Sequence, residues 1–411
     1  MSAHPQLAAT PWPAEDGGPR RQQRPHGIPG PRAGRAELAA SRLAPLSIMA
    51  VLAPDDRVLL LRREIGDDGP TWVEEIDPDS LEPVRRSPDL PTGPFWPGGM
   101  AVLADGAIVV VQGAWAHRLA PDLSVVRARR LPVDAPHNSF VVLDDGSLAT
   151  KDLQRPGGPP STLSILDPVT LEDRAAPLVL PEPSVARLSA DGSTIVVVGV
   201  TALHRLAWEP AAGTLAPAAP SVTYLDDEVH SFGWDPVVDA GAIWWMDGGD
   251  HTFAEGMTML GNGVAPGANR LWRFPLDGAA PAWVEISGRP GGAVTNPPIV
   301  DPTRGLVVAY DSANGVAAAF DVDDLSPRWR TELRTAQHLV LFPDTGELIA
   351  DDHDPATGDA LVVVDVATGG VRTRCAVGSP AQSVVFGAPG TRRDHYFVSL
   401  STVARVTFHD A

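Results

Sequence analysis

The chain repeats one short pattern along most of its length: an apolar run, an Asp/Gly turn and a second apolar run. "GGMAVLADGAIVVVQG", "NSFVVLDDGSLATKD" and "HLVLFPDTGELIADD" are three of seven such segments. Each turn carries a glycine, which adopts the positive φ of tight hairpin turns without strain. These glycines are Gly106, Gly146, Gly192, Gly241, Gly305, Gly346 and Gly390. The pattern predicts a series of antiparallel hairpins.

The spacing of the hairpins predicts one four-stranded propeller blade per repeat. The turn glycines are 40, 46, 49, 64, 41 and 44 residues apart, which is the length of a propeller blade. Most hairpins are followed by a third strand, a turn and a fourth strand, as in "STLSILDPVTLEDRAAPLVL". We therefore expect an all-β chain that forms a single β-propeller over residues 37–411.

The number of blades depends on how the ring closes. Seven complete units begin near Ser47, Phe95, Pro136, Pro183, Val229, Val294 and Ala336. A last unit from Ala381 supplies three strands and lacks a fourth. The segment from Glu37 to Leu46 precedes the first unit and can supply that strand, which would leave no open sheet edge. Eight blades closed by an N-terminal strand are favoured, with seven as the alternative if the first or last unit is irregular.

Two family resemblances follow from these repeats. "STLSILDPVTLEDRAAPLVL" and "DALVVVDVATGGVRTRCAVG" resemble the outer strands of the quinoprotein-like (PQQ-repeat-like) propeller superfamily. That resemblance implies the fold and a quinone-dependent dehydrogenase as one option, but a PQQ cofactor is not expected, because the single Cys375 allows no vicinal disulfide. "PHNSFVVLDDGSLATKD" also resembles the hairpins of arylsulfate sulfotransferases, which implies that His137, His230 or His338 binds an anion or carries a transferred group.

Composition limits the partners and the compartment. The formal net charge is -19 and no basic stripe interrupts it, so neither nucleic acid nor an anionic membrane is expected as a partner. One cysteine, no readable export signal and no apolar run long enough to span a bilayer predict a soluble, cytoplasmic protein. Residues 1–36 are rich in Pro, Gly, Arg and Ala and are expected to form a disordered tail.

Polar residues recur at two positions of the repeat that open on the same face of a propeller. His137, His230 and His338 precede or begin inner strands, in "PHNSF", "EVHSF" and "AQHLV". Neutral imidazoles that converge on one axis would bind a transition metal such as Fe, Cu, Mn or Zn. The alternative is that each histidine is a hydrogen-bonded structural residue.

The loops after the second strands supply the candidate catalytic groups, which are Lys151, Asp152, His251 and Asp352. Lys151 is the only lysine among 32 Lys and Arg residues. An ammonium there can hold an anionic group, pair with Asp152 or transfer a proton; the alternative is that one lysine persists by chance.

The unit with the longest spacing contains an insertion, "GDHTFAEGMTMLGNGVAPGANRLW". It predicts either a mobile lid or a long surface loop. Trp96, Phe232, Trp234 and Trp245 either line a cavity beneath it or belong to the core.

Three function classes are compatible with these features. The leading hypothesis is an enzyme that acts on a small molecule at the mouth of the channel, with histidines as metal ligands or acid/base groups. An arylsulfotransferase-like group transfer is the second. The third is a non-catalytic platform that binds protein partners.

Overall fold

Eight four-stranded antiparallel sheets form a ring in the computed structural model, which describes residues 4–67, 69–252 and 258–410. The all-β, eight-bladed propeller predicted from the repeats is confirmed. The strands of blades 1 to 4, from the inner strand outward, are Ser47–Ala53, Arg57–Arg63, Thr71–Ile76 and Pro83–Arg86; Gly99–Val102, Ile108–Gln112, Trp115–Leu119 and Val125–Arg130; His137–Val142, Leu148–Asp152, Thr162–Leu166 and Leu178–Val179; and Ser189–Asp191, Thr194–Val198, Ala202–Glu209 and Thr214–Pro217. A short extra strand, Val222–Thr223, pairs with the third strand of blade 4.

The strands of blades 5 to 8, in the same order, are Val237–Asp239, Ala242–Met246, Arg270–Pro275 and Ala282–Glu285; Ile299–Asp301, Leu306–Asp311, Val316–Asp321 and Pro327–Glu332; Val340–Phe342, Glu347–Asp354, Gly358–Asp365 and Val371–Ala376; and Ala388–Pro389, Asp394–Val398, Thr402–His409 and Arg35–Leu43. A single-turn 3₁₀ helix covers Glu15–Gly17. Among the described residues no helix is long and apolar enough to cross a membrane. A cytoplasmic location stays a prediction.

Within a blade, the inner strands are buried and the outermost strand is the most exposed. In blade 2 the inner strand Gly99–Val102 and the second strand Ile108–Gln112 are buried throughout, whereas the outer strand Val125–Arg130 is largely exposed. The inner strands lie between neighbouring blades, so both of their faces need apolar side chains. The continuous apolar runs in the sequence therefore mark the first two strands of each blade.

The hairpin turns behave as predicted at six of the seven glycines. Gly106, for example, has φ +83° and Gly192 has φ +63°. The exception is the last unit, where the positive φ falls on Arg393 (φ 56°) rather than on Gly390.

The predicted closing strand is confirmed. Arg35–Leu43 pairs antiparallel with Thr402–His409, with Ala36 opposite Phe408 and Leu43 opposite Thr402. This pairing supplies the fourth strand of blade 8. It also covers the edge that the final repeat would otherwise leave open.

The ring has two faces. The lower face carries the hairpin turns between first and second strands. The upper face carries the loops that lead into the inner strands and the loops that follow the second strands.

Residues 4–34 do not form the separate tail that their composition suggests. They run along the lower face and enter the central channel, where Trp12 is 1% exposed and Gln23 is buried. The segment hydrogen-bonds to the inner strands of blades 1, 4 and 7: Leu52 N–H donates to the Trp12 carbonyl, Ala190 N–H to that of Pro19 and Leu341 N–H to that of Gln23. A ring of eight blades leaves an axial space, and these residues fill it.

Candidate functional site

The three predicted metal-ligating histidines contact separate sets of neighbours. His137 begins the inner strand of blade 3, and its Nδ1 lies 3.1 Å from the carbonyl oxygens of Gly113 and Ala135. Burial lowers the pKa of His137 to about 4. This ring is therefore neutral at physiological pH and is bound to main-chain carbonyls.

His230 and His338 each pair with a carboxylate. His230 Nδ1 lies 2.8 Å from Asp227 Oδ2 on the approach to blade 5. His338 Nδ1 lies 2.8 Å from Asp16 Oδ1 of the axial segment, and the His338 ring packs against Phe386 with 3.7 Å between centroids.

Across the ranges that the structure describes, no group of three or more His, Cys, Asp or Glu side chains is placed to hold a metal ion. The shared metal site at His137, His230 and His338 therefore remains a prediction that the observed contacts do not support.

Lys151 and Asp152 lie side by side at the end of the second strand of blade 3, as predicted. Lys151 Nζ donates to the carbonyl oxygen of Ser184 at 2.9 Å. Burial lowers the pKa of Lys151 to about 7, against the opposing attraction of Asp152 and Asp235. The ammonium is enclosed by protein rather than directed at solvent.

Asp152 accepts hydrogen bonds from two groups of its own blade. One carboxylate oxygen accepts from Gln154 Nε2 at 2.6 Å, and the other accepts from the main-chain N–H of Thr162. Both acceptor oxygens are therefore used inside blade 3.

The same arrangement recurs in blade 5, just after the second strand, and in blade 7, within the upper half of the second strand. Asp247 accepts from the N–H and Nε of Arg270, at 2.6 and 2.5 Å. Asp351 accepts from the N–H groups of Ala336 and Gln337, both at 3.0 Å. The acidic residues after the second strands recur because the repeat uses a carboxylate there to fix neighbouring main-chain N–H groups. The sequence shows this recurrence but does not show which donors each carboxylate meets.

Asp352, the fourth predicted catalytic residue, is bound on both sides by arginines. Its Oδ1 accepts from the N–H and Nε of Arg334, at 3.0 and 3.1 Å, and its Oδ2 pairs with Arg374. Burial acts to raise the pKa of Asp352, but the hydrogen bonds from Arg374 and Arg334 outweigh it and hold the pKa below its ordinary value. These contacts describe an anchoring carboxylate.

Asp352→Asn is expected to lower the free energy of unfolding by about 1–2 kcal/mol, because the amide loses the charge that both arginines face. Chemical denaturation at neutral pH measures this loss. Asp354→Asn is the matched control, since Asp354 is more exposed than Asp352 and meets the same Arg334 at 3.3 Å, and a solvent-accessible ion pair contributes little to stability. Equal stability of the two variants would contradict an anchoring role for Asp352.

The insertion of blade 5 crosses the upper face towards blades 6, 7 and 8. Met259 is fully buried among Ala293, Ala313 and Ala336. Its main-chain N–H donates to Gln382 Oε1 of blade 8 at 2.7 Å, and Gly261 N–H donates to the Ala313 carbonyl at 2.8 Å. These contacts anchor the end of the insertion, so this part is not a free surface loop. The part of the proposed lid at 253–257 lies outside the described residues.

His251 stands at the start of this insertion. Its Nδ1 lies 2.9 Å from the carbonyl oxygen of Gly249. Burial is the main cause that lowers the pKa of His251 below its ordinary value, and the positive charge of Arg155 acts in the same direction. His251 and Lys151 are on the same face, but their main hydrogen bonds go to different loops.

Met259→Ala is expected to loosen the insertion without unfolding the propeller. Removing a fully buried side chain from a local anchor should lower the free energy of local opening by about 2 kcal/mol. Hydrogen exchange at the Gly261 amide reports that opening. Leu260→Ala, which truncates the half-buried neighbour, should have a smaller effect; an equal effect would argue against Met259 as the anchor.

A buried ionic network on the channel axis is the feature that sequence reasoning missed. Arg21 Nη1 pairs with Glu15 Oε1 at 2.5 Å and with Asp16 Oδ2 at 2.8 Å, and its Nη2 donates to Ser139 Oγ at 2.8 Å. Arg187 of blade 4 pairs with the same Glu15 at 3.0 Å. One sequence signal pointed this way: Trp12 lies inside a segment whose composition otherwise indicates disorder.

Apolar side chains gather on the upper face, where the loops that lead into blades 2 and 5 meet. Trp96, Phe232 and Trp234 belong to one cluster, and the Phe232 and Trp234 rings are 6.1 Å apart. Phe95, next to Trp96 in the chain, is 38% exposed, and Ile65, in the blade 1 loop to which the Phe95 N–H donates, is 82% exposed. We call these five residues the upper-face patch. Trp245 is not part of it, because it stacks on Trp272 within the blade 5 core.

Comparison with known proteins identifies the fold. No protein-family model matches the chain, and no curated protein matches it. Among solved structures, quinohemoprotein alcohol dehydrogenase from Comamonas testosteroni is similar with TM-score 0.66 and 12% identity, over 98% of this chain and 81% of that one. BamB from Moraxella catarrhalis gives TM-score 0.59 and 12% identity, over 92% and 98%. Sqt1 from Chaetomium thermophilum gives 0.57 and 14%, over 92% and 99%. The chain is thus an eight-bladed β-propeller, and its fold is similar to that of a quinohemoprotein alcohol dehydrogenase.

Proposed function

We propose that this protein is a non-catalytic platform that binds a protein partner through the upper-face patch. The observation that carries the proposal is the exposure of Ile65 and Phe95 beside the Trp96 cluster. Exposed apolar side chains that gather on one face favour association with another protein. The same fold occurs in a dehydrogenase and in BamB, so the proposal depends on this chain's own residues.

The filling of the channel also favours a surface function. A quinone or another cofactor on the axis would meet the buried side chains of Glu15, Asp16 and Arg21. These residues do not fit a cofactor at that place, because their charges are already paired with one another. At the upper end of the ring, the blade 5 insertion crosses the face and is held there by the buried side chain of Met259.

A photo-crosslinking experiment tests the platform. A benzoylphenylalanine introduced at position 95 should crosslink the full-length protein in its native cell to a distinct protein partner. The matched control carries the same amino acid at position 126, because Val126 is 56% exposed on the outer strand of blade 2. Crosslinks of equal yield and identity at both positions, or none at position 95, would overturn the proposal.

A small-molecule enzyme is the second candidate, and the observation that favours it is Lys151. A buried lysine with a pKa of about 7 beside Asp152 has the properties of a proton-transfer group. Metal analysis of the purified protein separates the candidates: near-stoichiometric Fe, Cu, Mn or Zn would support the enzyme and count against the platform.

A further inference from the structure

A hydroxyl, an imidazole and a carboxylate form a continuous hydrogen-bonded series at the upper end of blade 4. Ser221 Oγ lies 2.7 Å from His204 Nδ1, and His204 Nε2 lies 2.8 Å from Glu182 Oε1. His338 differs, because its Nδ1 meets Asp16 but its Nε2 has no hydrogen-bond partner within the described part of the chain. A serine joined to an imidazole that a carboxylate orients is the arrangement that activates a hydroxyl for nucleophilic attack.

The pairing of two strands places the serine against the histidine. His204 lies in the third strand of blade 4, and the short extra strand of that blade pairs with it antiparallel. Because Leu203 stands opposite Val222, the same register puts Ser221 opposite His204, at the spacing at which cross-strand side chains interact. Glu182 comes from the loop that leads into the inner strand of the same blade. One blade thus supplies all three groups.

Glu182 is held as a carboxylate. Its Oε2 accepts from the N–H and Oγ1 of Thr201, at 2.7 and 2.8 Å, and its Oε1 accepts from the N–H of Ala202 at 2.9 Å. Burial acts to raise the pKa of Glu182, but the hydrogen bonds from His204 and Thr201 outweigh it and hold the pKa below its ordinary value. An ionised carboxylate only accepts hydrogen bonds, so His204 Nε2 donates to it. In the neutral ring Nδ1 is then the acceptor for the Ser221 hydroxyl.

The exposure of the three groups suits a reaction with a molecule from solvent. His204 is 4% exposed and the Glu182 side chain is 13% exposed, whereas Ser221 is exposed. Gly199 leaves the space that the buried pair needs: a Cβ there would overlap Glu182 Oε1 and would lie 2.8 Å from His204 Nε2. The imidazole is therefore shielded and fixed, while the hydroxyl is open to an incoming carbonyl group.

We propose that Ser221 is an activated nucleophile that accepts an acyl group from an activated carboxylic ester, with His204 as its base and Glu182 as the positioning residue. Ser221 Oγ would attack the carbonyl carbon while its proton passes to His204 Nδ1. The C–O bond to the leaving alcohol then breaks, the alcohol takes that proton, and the acyl group stays on Ser221 as an ester. The inference goes beyond the proposed function, because it adds a site of covalent modification to the platform.

The chromogenic ester p-nitrophenyl acetate tests the inference on the full-length protein. Release of p-nitrophenolate should show a burst of about one equivalent, and peptide mass spectrometry should find the acetyl group on Ser221. Ser221→Ala should lose the burst. Ser124→Ala is the matched control and should keep it, because exposed Ser124 donates to Asp122 rather than to an imidazole. A native protein that carries no acetyl group on Ser221 after the reaction would overturn the inference.

Two further variants separate activation from simple exposure of the serine. His204→Gln should slow acetylation of Ser221 at least about 100-fold, the usual contribution of a general base. Glu182→Gln keeps the shape of the side chain but removes its charge, and should slow acetylation at least about tenfold. If His204→Gln does not fold, Glu182→Gln decides alone. Acetylation of Ser221 at the native rate in a folded variant would show that the hydrogen-bonded series is only structural.

The platform and the reactive serine are tested by separate experiments. Crosslinking at position 95 reports on the upper-face patch, whereas acetylation reports on Ser221 of blade 4. Crosslinking without acetylation would leave the platform and overturn the nucleophile. Acetylation without crosslinking would do the reverse.

Discussion

A chain that lacks residues 1–33 is expected to aggregate, or to melt at least about 10 °C below the full-length protein. The truncation keeps the closing strand Arg35–Leu43 but removes the axial segment. It exposes the apolar residues around Trp12 and leaves Arg187 without its Glu15 partner. It also removes the acceptors for the N–H groups of Leu52, Ala190 and Leu341. The lost hydrogen bonds fall on blades 1, 4 and 7, so the effect should not be confined to one part of the ring.

Differential scanning calorimetry of the truncated and full-length chains measures this effect. A single substitution gives a finer test: Trp12→Ala should lower the free energy of unfolding by about 3–5 kcal/mol, because it leaves a cavity at a fully buried aromatic. Gln22→Ala is the matched control, since the half-buried Gln22 makes one long hydrogen bond, 3.4 Å, to the Val238 carbonyl. A truncated chain that melts within a few degrees of the full-length protein would contradict the structural role of the segment.

The repeat made the propeller predictable, whereas the axial segment was not. Hairpin turns such as that at Gly106 are encoded within about 15 residues, so period and turn chemistry are visible in the sequence. The partners of the axial segment are far away along the chain. Arg21 meets Ser139, and Gln23 donates to the carbonyl of Pro298. Its Pro- and Gly-rich composition carries no periodicity, so composition predicts disorder although tertiary contacts order the segment.

At the candidate site, the sequence predicts where the acidic side chains lie but not what they bind. The sequence places Asp152, Asp247 and Asp352 near the upper ends of second strands: Asp152 ends one, Asp247 follows one and Asp352 lies two residues before the end of one. Their role depends on nearby main-chain donors such as the N–H of Thr162. Those donors carry no side-chain signature, and a recurring carboxylate looks the same in a sequence whether it binds a metal or a loop. Only the folded arrangement of donors around each carboxylate separates the two.

The same difficulty applies to the upper-face patch. Phe95 and Trp96 stand in a Pro- and Gly-rich loop, and the sequence alone allows them to be core or surface. Their neighbours Arg63 and Arg155 are brought to them by different blades. The two aromatic–arginine pairs are therefore a property of the folded ring, although each residue is visible in the sequence.

Lys151→Arg is expected to be strongly destabilising, by about 3–5 kcal/mol, although it keeps the charge of the native residue. The reason is that an arginine cannot lose its proton in a protein, whereas a buried lysine can. Lys151 is enclosed and donates to the Ser184 carbonyl. The only lysine of the chain thus occupies a place where a permanently charged guanidinium would be larger and harder to neutralise.

Lys151→Met provides the contrast, and its effect depends on pH. Because the folded pKa of about 7 lies below the ordinary value of 10.5, the folded state binds fewer protons than the unfolded state between these two values. The stability of the native protein relative to the Met variant should therefore rise as pH increases from about 7 to 10.5. Below pH 7 both states hold the proton, and the cost of charging the buried amine is fully present. There the Met variant should be more stable by about 3 kcal/mol, after allowance for the lost bond to Ser184.

Urea unfolding of the native protein and both variants, at about pH 6 and pH 10, measures these differences. The gain in Lys151→Met should be largest at the lower pH and should largely disappear at the higher one. A constant difference between the two pH values would show that Lys151 does not titrate in this range. Equal stability of Lys151→Arg and the native protein would show that the site accepts a permanent charge, and the lysine would then have no special place in the fold.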